Sequence, residues 1–203
     1  HGLQFNLEGG GTFSVQALQA SLFRVRHRPS AGYREPRTWA IAPSASPATG
    51  SDVPWEGRAR DDLSGFAMPP VTITANNPRV AVSTGALRVS VSPTPLTLHW
   101  QDAAGNTLAS DRATSAYFAS DRTGAVRHYL QRHRAERYYG LGDKTGPLDL
   151  HGRRLRTLAL DSLGYDPQHG DPLYKHWPFT LTRTPSGQWY GIYYDTLAAC
   201  TFD

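Results

Sequence analysis

From Val71 to Trp100 the chain alternates apolar and polar residues, run after run, and this period of two restricts the possible folds more than any other feature. Val71, Ile73 and Ala75 alternate with Thr72 and Thr74. Val80 and Val82 form a second run, closed by a turn at Ser83-Thr84-Gly85-Ala86; Leu87, Val89 and Val91 form a third. Leu96, Leu98 and Trp100 form a fourth, beyond Pro93-Thr94-Pro95. Successive side chains of an extended strand point to opposite faces, so each run has one apolar and one polar face. Asp102-Ala103-Ala104-Gly105-Asn106 reads as a hairpin loop into Thr107-Leu108. Thr12–Leu18, behind Gly9-Gly10-Gly11, alternates as well, and so does Leu22–Arg26, with Phe23 and Val25 opposite Arg24 and Arg26. Tyr117-Phe118 and Val126–Leu130 look like further strands. Nowhere do apolar residues recur at helical spacing for three turns. Turn signals every ~8–12 residues predict an all-β fold, a sandwich or barrel.

The 203-residue length suits one large β domain. A chain of this size buries about 70 per cent of its unfolded surface and needs no staples. Hydrophobic residues at 39% and charged residues at 19% exclude a disordered chain. The single cysteine, Cys200, excludes an internal disulfide and leaves the compartment open, the cytoplasm slightly favoured. No apolar run approaches the ~20 residues of a membrane span. His1-Gly2-Leu3 carries neither an initiator Met nor a signal-peptide pattern, and His1 is set aside. Residues 29–70 are rich in Pro, Ser, Ala and Gly and read as irregular, with Trp39-Ala40-Ile41 and Trp55 as anchors. Net charge is a modest +4, with the arginines spread along the chain. The basic run Arg127, His128, Arg132, His133, Arg134 and Arg137 fits a solvated strand face or a covered surface better than a nucleic-acid site.

The strand pattern breaks between Glu136 and Phe179, where glycines, acidic loops and aromatics crowd together. Tyr138-Tyr139 ends in the turn Gly140-Leu141-Gly142-Asp143, whose glycines allow backbone angles that a Cβ forbids. Arg153–Leu160 reads as a strand that delivers Asp161. A polar, bent loop follows from Ser162 to Pro172, and Leu173–Phe179 leads back into a strand. A loop held between two strands is a common place to display binding groups.

These residues resemble the N-terminal domain of glycoside hydrolase family 31, the α-glucosidase and α-xylosidase family. The likeness lies in Glu136–Asp143, in Asp161 with Gly164-Tyr165-Asp166, in Asp171–Phe179 and in Gly187–Asp195, blocks that keep their order and spacing. It implies a two-sheet antiparallel β-sandwich, a supersandwich of the galactose mutarotase-like kind, spanning residues 1–203. It also implies that residues 29–70 hold an insertion of variable content. The family's mechanism is retaining hydrolysis of an α-glycosidic bond by two carboxylates about 5 Å apart. Both come from a barrel that follows the β domain, and the chain stops at Asp203, where that barrel is expected. The expectation is therefore an excised N-terminal domain with no catalytic residue, no cofactor and no metal site, inactive alone. Its expected partners are an α-glycoside substrate and the enzyme's own barrel, with no nucleic acid and no membrane.

By the resemblance, the loop reaches into the barrel and Asp161 touches sugar hydroxyls. A carboxylate accepts strong hydrogen bonds from vicinal hydroxyls; the plainer alternative is a turn Asp bonded to its own backbone. Tyr165 is open to stacking on a sugar face or packing under the loop. Asp166 is a further substrate-binding candidate, although it and Asp171 suit turn positions. His169 and His176 show no metal-site spacing. Gly140–Lys144 lacks the third glycine and the following helix of a phosphate cradle. Tyr174, Trp177, Phe179, Trp189, Tyr190, Tyr193 and Tyr194 are expected in the core or at a domain interface. Two other functions stay open. A mutarotase-like enzyme needs a His acid and a Glu base, for which only Glu136 lies near a motif; a stand-alone carbohydrate-binding module would bind sugar by itself.

Overall fold

The structure, a computed structural model, describes residues 1–8, 10–41, 56–120 and 123–203. Gly9 and the expected anchor Trp55 lie outside the described residues. Every helix or strand among the described residues is a strand, and the chain divides into two compact units, His1–Gln131 and Arg132–Asp203.

In the first unit β1 (Gly2–Asn6), β2 (Thr12–Gln19) and β3 (Leu22–Arg28) form an antiparallel sheet in that order. Two short strands follow, β4 (Arg37–Thr38) and β5 (Arg58–Ala59). The alternating stretch then builds an antiparallel meander of β6 (Thr72–Asn76), β7 (Arg79–Ser83), β8 (Leu87–Pro93), β9 (Leu96–Asp102) and β10 (Thr107–Ser110). Its register places Val82, Val89 and Trp100 in one cross-strand row and Val80, Val91 and Leu98 in the next. Phe13 and Val15 of β2 meet Val82, Val89, Val91 and Leu98 in one buried cluster, so the two sheets face each other as the layers of a sandwich. Phe13 stacks on Phe5 at 5.9 Å and meets the edge of Tyr117 at 5.6 Å.

Two polar fixtures tie irregular chain to this core. The buried Asp111 accepts the Leu98 amide at 2.8 Å on Oδ2, and its Oδ1 faces His128 Nε2 at 2.9 Å. His128 also stacks on Tyr117 at 4.8 Å, which holds the ribbon of β11 (Tyr117–Ala119) and β12 (Val126–His128) to β9. His128 therefore departs from the solvated face expected of the basic run. Arg24 and Arg26 of β3 are likewise engaged: Arg24 donates to the Arg60 carbonyl at 2.8 Å and Arg26 pairs with Asp61. Trp39 is half exposed, with its ring over Gly57.

The second unit contains the sheet β13 (Arg137–Gly140), β15 (Phe179–Arg183) and β16 (Trp189–Tyr193), in that order. Beside it, β14 (Leu155–Thr157) pairs with β17 (Cys200–Phe202). The strand expected over Arg153–Leu160 is thus only β14, and the chain runs irregularly from there to Asp161. Leu141, Leu150 and Leu155 form the unit's core, with Tyr138 and Phe202 packed on it. Of the aromatics expected in the core or at a domain interface, several lie outside this core: Trp177 is 57% exposed and Trp189 50%, and Tyr174, Phe179 and Tyr193 are exposed too. Strand spacing placed these side chains on a face but did not reveal what covers it.

Phe13→Ala removes the central ring of the sandwich, and we expect it to cost about 3–5 kcal/mol. Urea unfolding measures this; a loss under about 1 kcal/mol would mean that Phe13 is not the keystone of the packed layers.

Candidate functional site

The loop that carries Asp161 is built from its base outward. Gly140 adopts φ +103, and a Cβ there would lie 2.5 Å from the Phe179 carbonyl oxygen, so only glycine lets the turn pass so close to β15. The turn delivers Lys144, whose side chain is 4% exposed. Its Nζ donates to Asp171 Oδ1 at 3.2 Å and to the Arg156 carbonyl. Asp171 Oδ2 accepts the Arg156 amide at 2.8 Å, and Arg156 Nη2 donates to the Asp171 carbonyl at 3.0 Å. One ion pair thus joins the glycine turn, β14 and the far end of the loop. No phosphate cradle exists there, because the lysine's bonds are made within the fold.

Further bonds close the loop on itself. Thr145 Oγ1 donates to the Gly170 carbonyl at 2.7 Å, and the Gly146 amide to the Pro167 carbonyl at 3.2 Å. Ser162 Oγ donates to the Pro172 carbonyl at 2.8 Å, and the Tyr174 hydroxyl to the Ser162 carbonyl at 3.1 Å. Asp166 Oδ1 accepts the Gln168 amide at 2.7 Å and the His169 amide at 3.1 Å. These two backbone bonds, Gln168 first, hold its carboxyl below the usual carboxylate range. A Cβ on Gly170 would lie 2.8 Å from the Asp166 carbonyl oxygen, which fixes the tight return of the chain.

Against this bound frame, Asp161 is exposed, and its carboxylate takes no hydrogen bond or ion pair among the described residues. Tyr165 is 48% exposed, with its ring edge-on to Tyr174 at 6.3 Å. Leu163, at the tip, is 83% exposed. The three candidates differ: Asp161 and Tyr165 face solvent with binding capacity to spare, whereas Asp166 spends both oxygens on the loop's own backbone and His169. His169 pairs with Asp166, and His176 Nε2 meets the Thr196 carbonyl at 2.9 Å. Glu136, the one glutamate a mutarotase reading could use, is buried and accepts the His133 amide at 2.9 Å and the Tyr138 hydroxyl. Burial, then this bond, pushes the Tyr138 hydroxyl far up. So held, Glu136 is no exposed base.

The Lys144–Asp171 clamp could not be found from the sequence, since Lys144 read as part of a turn and Asp171 as another. Lys144→Ala leaves the carboxylate of Asp171 with only the longer ion pair to Arg156 Nε at 3.9 Å, and losing the buried partner of such a pair should cost up to about 3 kcal/mol. Denaturant unfolding followed by the aromatics of the second unit measures the loss, and wild-type stability would contradict the clamp. The depressed Asp166 carboxyl sets a pH dependence. Its contribution to loop order is complete above the unfolded value of about 3.9 and is lost as pH falls through its lower folded value. NMR should show the Gln168 and His169 amides protected at neutral pH and released only in that acid range; release near pH 6 would contradict the turn.

The sequence matches the family described as the glycosyl hydrolase 31 N-terminal galactose mutarotase-like domain over residues 12–203. It is 35% identical over 69 residues to alpha-glucosidase 2 of Bacillus thermoamyloliquefaciens, a stretch covering 34% of this chain and 9% of that protein. Its fold is similar to a family 31 dextranase of Flavobacterium johnsoniae, with TM-score 0.74 and 21% identity over 96% of this chain and 21% of the dextranase. It is also similar to a family 31 alpha-xylosidase of Xanthomonas citri, with TM-score 0.58 and 18% identity over 90% of this chain and 17% of the xylosidase. The chain spans about a tenth to a fifth of the length of these proteins. It belongs to the N-terminal galactose mutarotase-like domain family of glycoside hydrolase family 31, with the all-β fold its alternating strands predict.

Proposed function

We propose that the domain serves a longer retaining hydrolase of α-linked glycosides, packs on its catalytic barrel and lends the substrate cleft the loop around Asp161. The observation that carries this is an exposed, unbonded carboxylate on a loop whose base is closed by a buried ion pair. Such a loop has little freedom left to lose on binding, so its hydrogen bonds are formed at lower entropic cost. The α-glucosidase and dextranase relatives support α-glucosides as the substrate class.

In that role Asp161 accepts hydrogen bonds from neighbouring hydroxyls of the sugar beside the scissile bond, and those bonds are strong because the acceptor is charged. Tyr165 offers its ring to a sugar face. Asp166 shapes the loop from behind. The nucleophile and the acid/base are supplied by the barrel, about 5 Å apart as a retaining mechanism requires. The exposed Trp177, Phe179, Trp189 and Tyr193 give the barrel an apolar surface to cover. The domain by itself has no activity in this scheme; measurable turnover of p-nitrophenyl α-glucoside by the purified chain would contradict it.

In the whole enzyme, Asp161→Ala removes a hydrogen bond to a charged group, an interaction of about 1.5–3 kcal/mol, and should lower kcat/KM roughly ten- to a hundredfold. Steady-state kinetics on an α-linked disaccharide reads this directly. An unchanged kcat/KM would sink the proposed contact.

A further inference from the structure

The five-stranded sheet has a second face, opposite the sandwich core, that the role proposed for the Asp161 loop does not use. Register places Thr74, Ala81, Ser90, His99 and Ser110 in one continuous cross-strand row on it. The neighbouring row holds Thr72, Ser83, Arg88 and Gln101. The face is therefore a ladder of hydroxyls with cations and the His99 imidazole among them, and no Phe, Tyr or Trp ring among the described residues of these rows. Arg88 forms the common wall of two shallow depressions, one over β6 and β7, the other over the β9–β10 turn.

The charge on this face is unbalanced. Strands β6 to β10 contain one acidic residue, Asp102. Its carboxylate is held in the turn, where Oδ1 accepts the Ala104 amide at 2.9 Å and the Asn106 amide at 2.8 Å, and it lines only the depression over that turn, not the one over β6 and β7. Asp111, just past β10, is buried on Leu98 and His128. Neither Arg79 nor Arg88 makes a hydrogen bond or ion pair among the described residues, and Arg88 Nε is buried without a partner. His99 donates to or accepts from Ser110 Oγ at 2.7 Å. Burial, then the Arg79 charge, lowers its pKa, so it lies under a cationic field. The depression over β6 and β7 has no carboxylate in its lining; Arg88 and the hydroxyls of Thr72, Thr74 and Ser83 line it, with Arg79 farther along the same face. Such a setting suits an oxyanion, because the planar fork of Arg matches a carboxylate or sulfate.

From this geometry we infer that the outer face of the five-stranded sheet binds an anionic glycan, one bearing sulfate or carboxylate groups, apart from the Asp161 loop. The hydroxyl rows suit sugar hydroxyls, the arginines suit the acidic substituents, and the lack of an aromatic platform disfavours a neutral sugar chain. Among the described residues, neither depression on it is lined mainly by large apolar side chains that would seat those of an acidic peptide.

The test is calorimetric binding of a dextran sulfate oligosaccharide to the intact enzyme, with neutral dextran present in excess to fill the cleft. Arg79→Gln with Arg88→Gln should weaken binding about tenfold or more. The charge-matched pair Arg132→Gln with Arg134→Gln, off this sheet, should change it little, and both should melt like the parent. Three results would each overturn the inference: binding no tighter than that of neutral dextran, equal losses in the two double variants, or equally tight, equally Arg88-dependent binding of poly-glutamate. If the sheet-face double variant melts early, Arg88→Lys, which keeps the charge but not the fork, decides in its place: it should still bind more weakly than the parent, and parent-like affinity would also overturn the inference.

Discussion

The buried contact between Lys144 and Asp171 is the constraint on which the rest of the second unit depends. It joins chain segments 27 residues apart and brings the glycine turn, β14 and the end of the acidic loop to one point. A lysine so nearly removed from water is stable only with its charge matched and its protons bonded. Asp171 and the Arg156 carbonyl meet both needs. Everything between Arg156 and Asp171 must then form a closed loop, and the bonds of Ser162, Asp166 and Thr145 hold it shut. Asp161 is left as the carboxylate that the frame does not use.

The first unit rests on a different device. Its sandwich follows from the period-two pattern, because Val82, Val89 and Leu98 can leave water only by facing Phe13 and Val15. Polar bonds are used there where the pattern stops. Asp111 is buried so that one ribbon can be pinned to β9, and Arg24 and Arg26 hold the return of the chain through residues 58–62. The division of labour is physical: burial of apolar surface makes the layers, and charged hydrogen bonds place the irregular chain.

This division explains what was legible in the sequence. The strands from Val71 to Trp100, the hairpin at Asp102–Asn106 and β2 follow from local alternation, which needs no knowledge of distant residues. The turn character of Asp166 was visible as well, since its bonds span two or three residues. The Lys144–Asp171 pair was not, because no local pattern says which cation meets which carboxylate across so long a separation. The aromatics of β15 and β16 show the same limit from the other side. Period two told where Phe179, Trp189 and Tyr193 point, whereas their exposure depends on what lies beyond that face. The basic run failed at His128 for a similar reason: its partner, Asp111, belongs to another strand connection.

The central claim is that a loop locked at its base offers Asp161 to a sugar bound on the barrel. A crystal structure of the intact enzyme with an uncleaved α-linked disaccharide tests it most directly. The account predicts an Asp161 oxygen within about 2.5–3.0 Å of a sugar hydroxyl, with the Lys144–Asp171 contact unchanged. An occupied cleft with the Asp161 carboxylate beyond about 3.5 Å from every sugar oxygen, and no water between them, would contradict it.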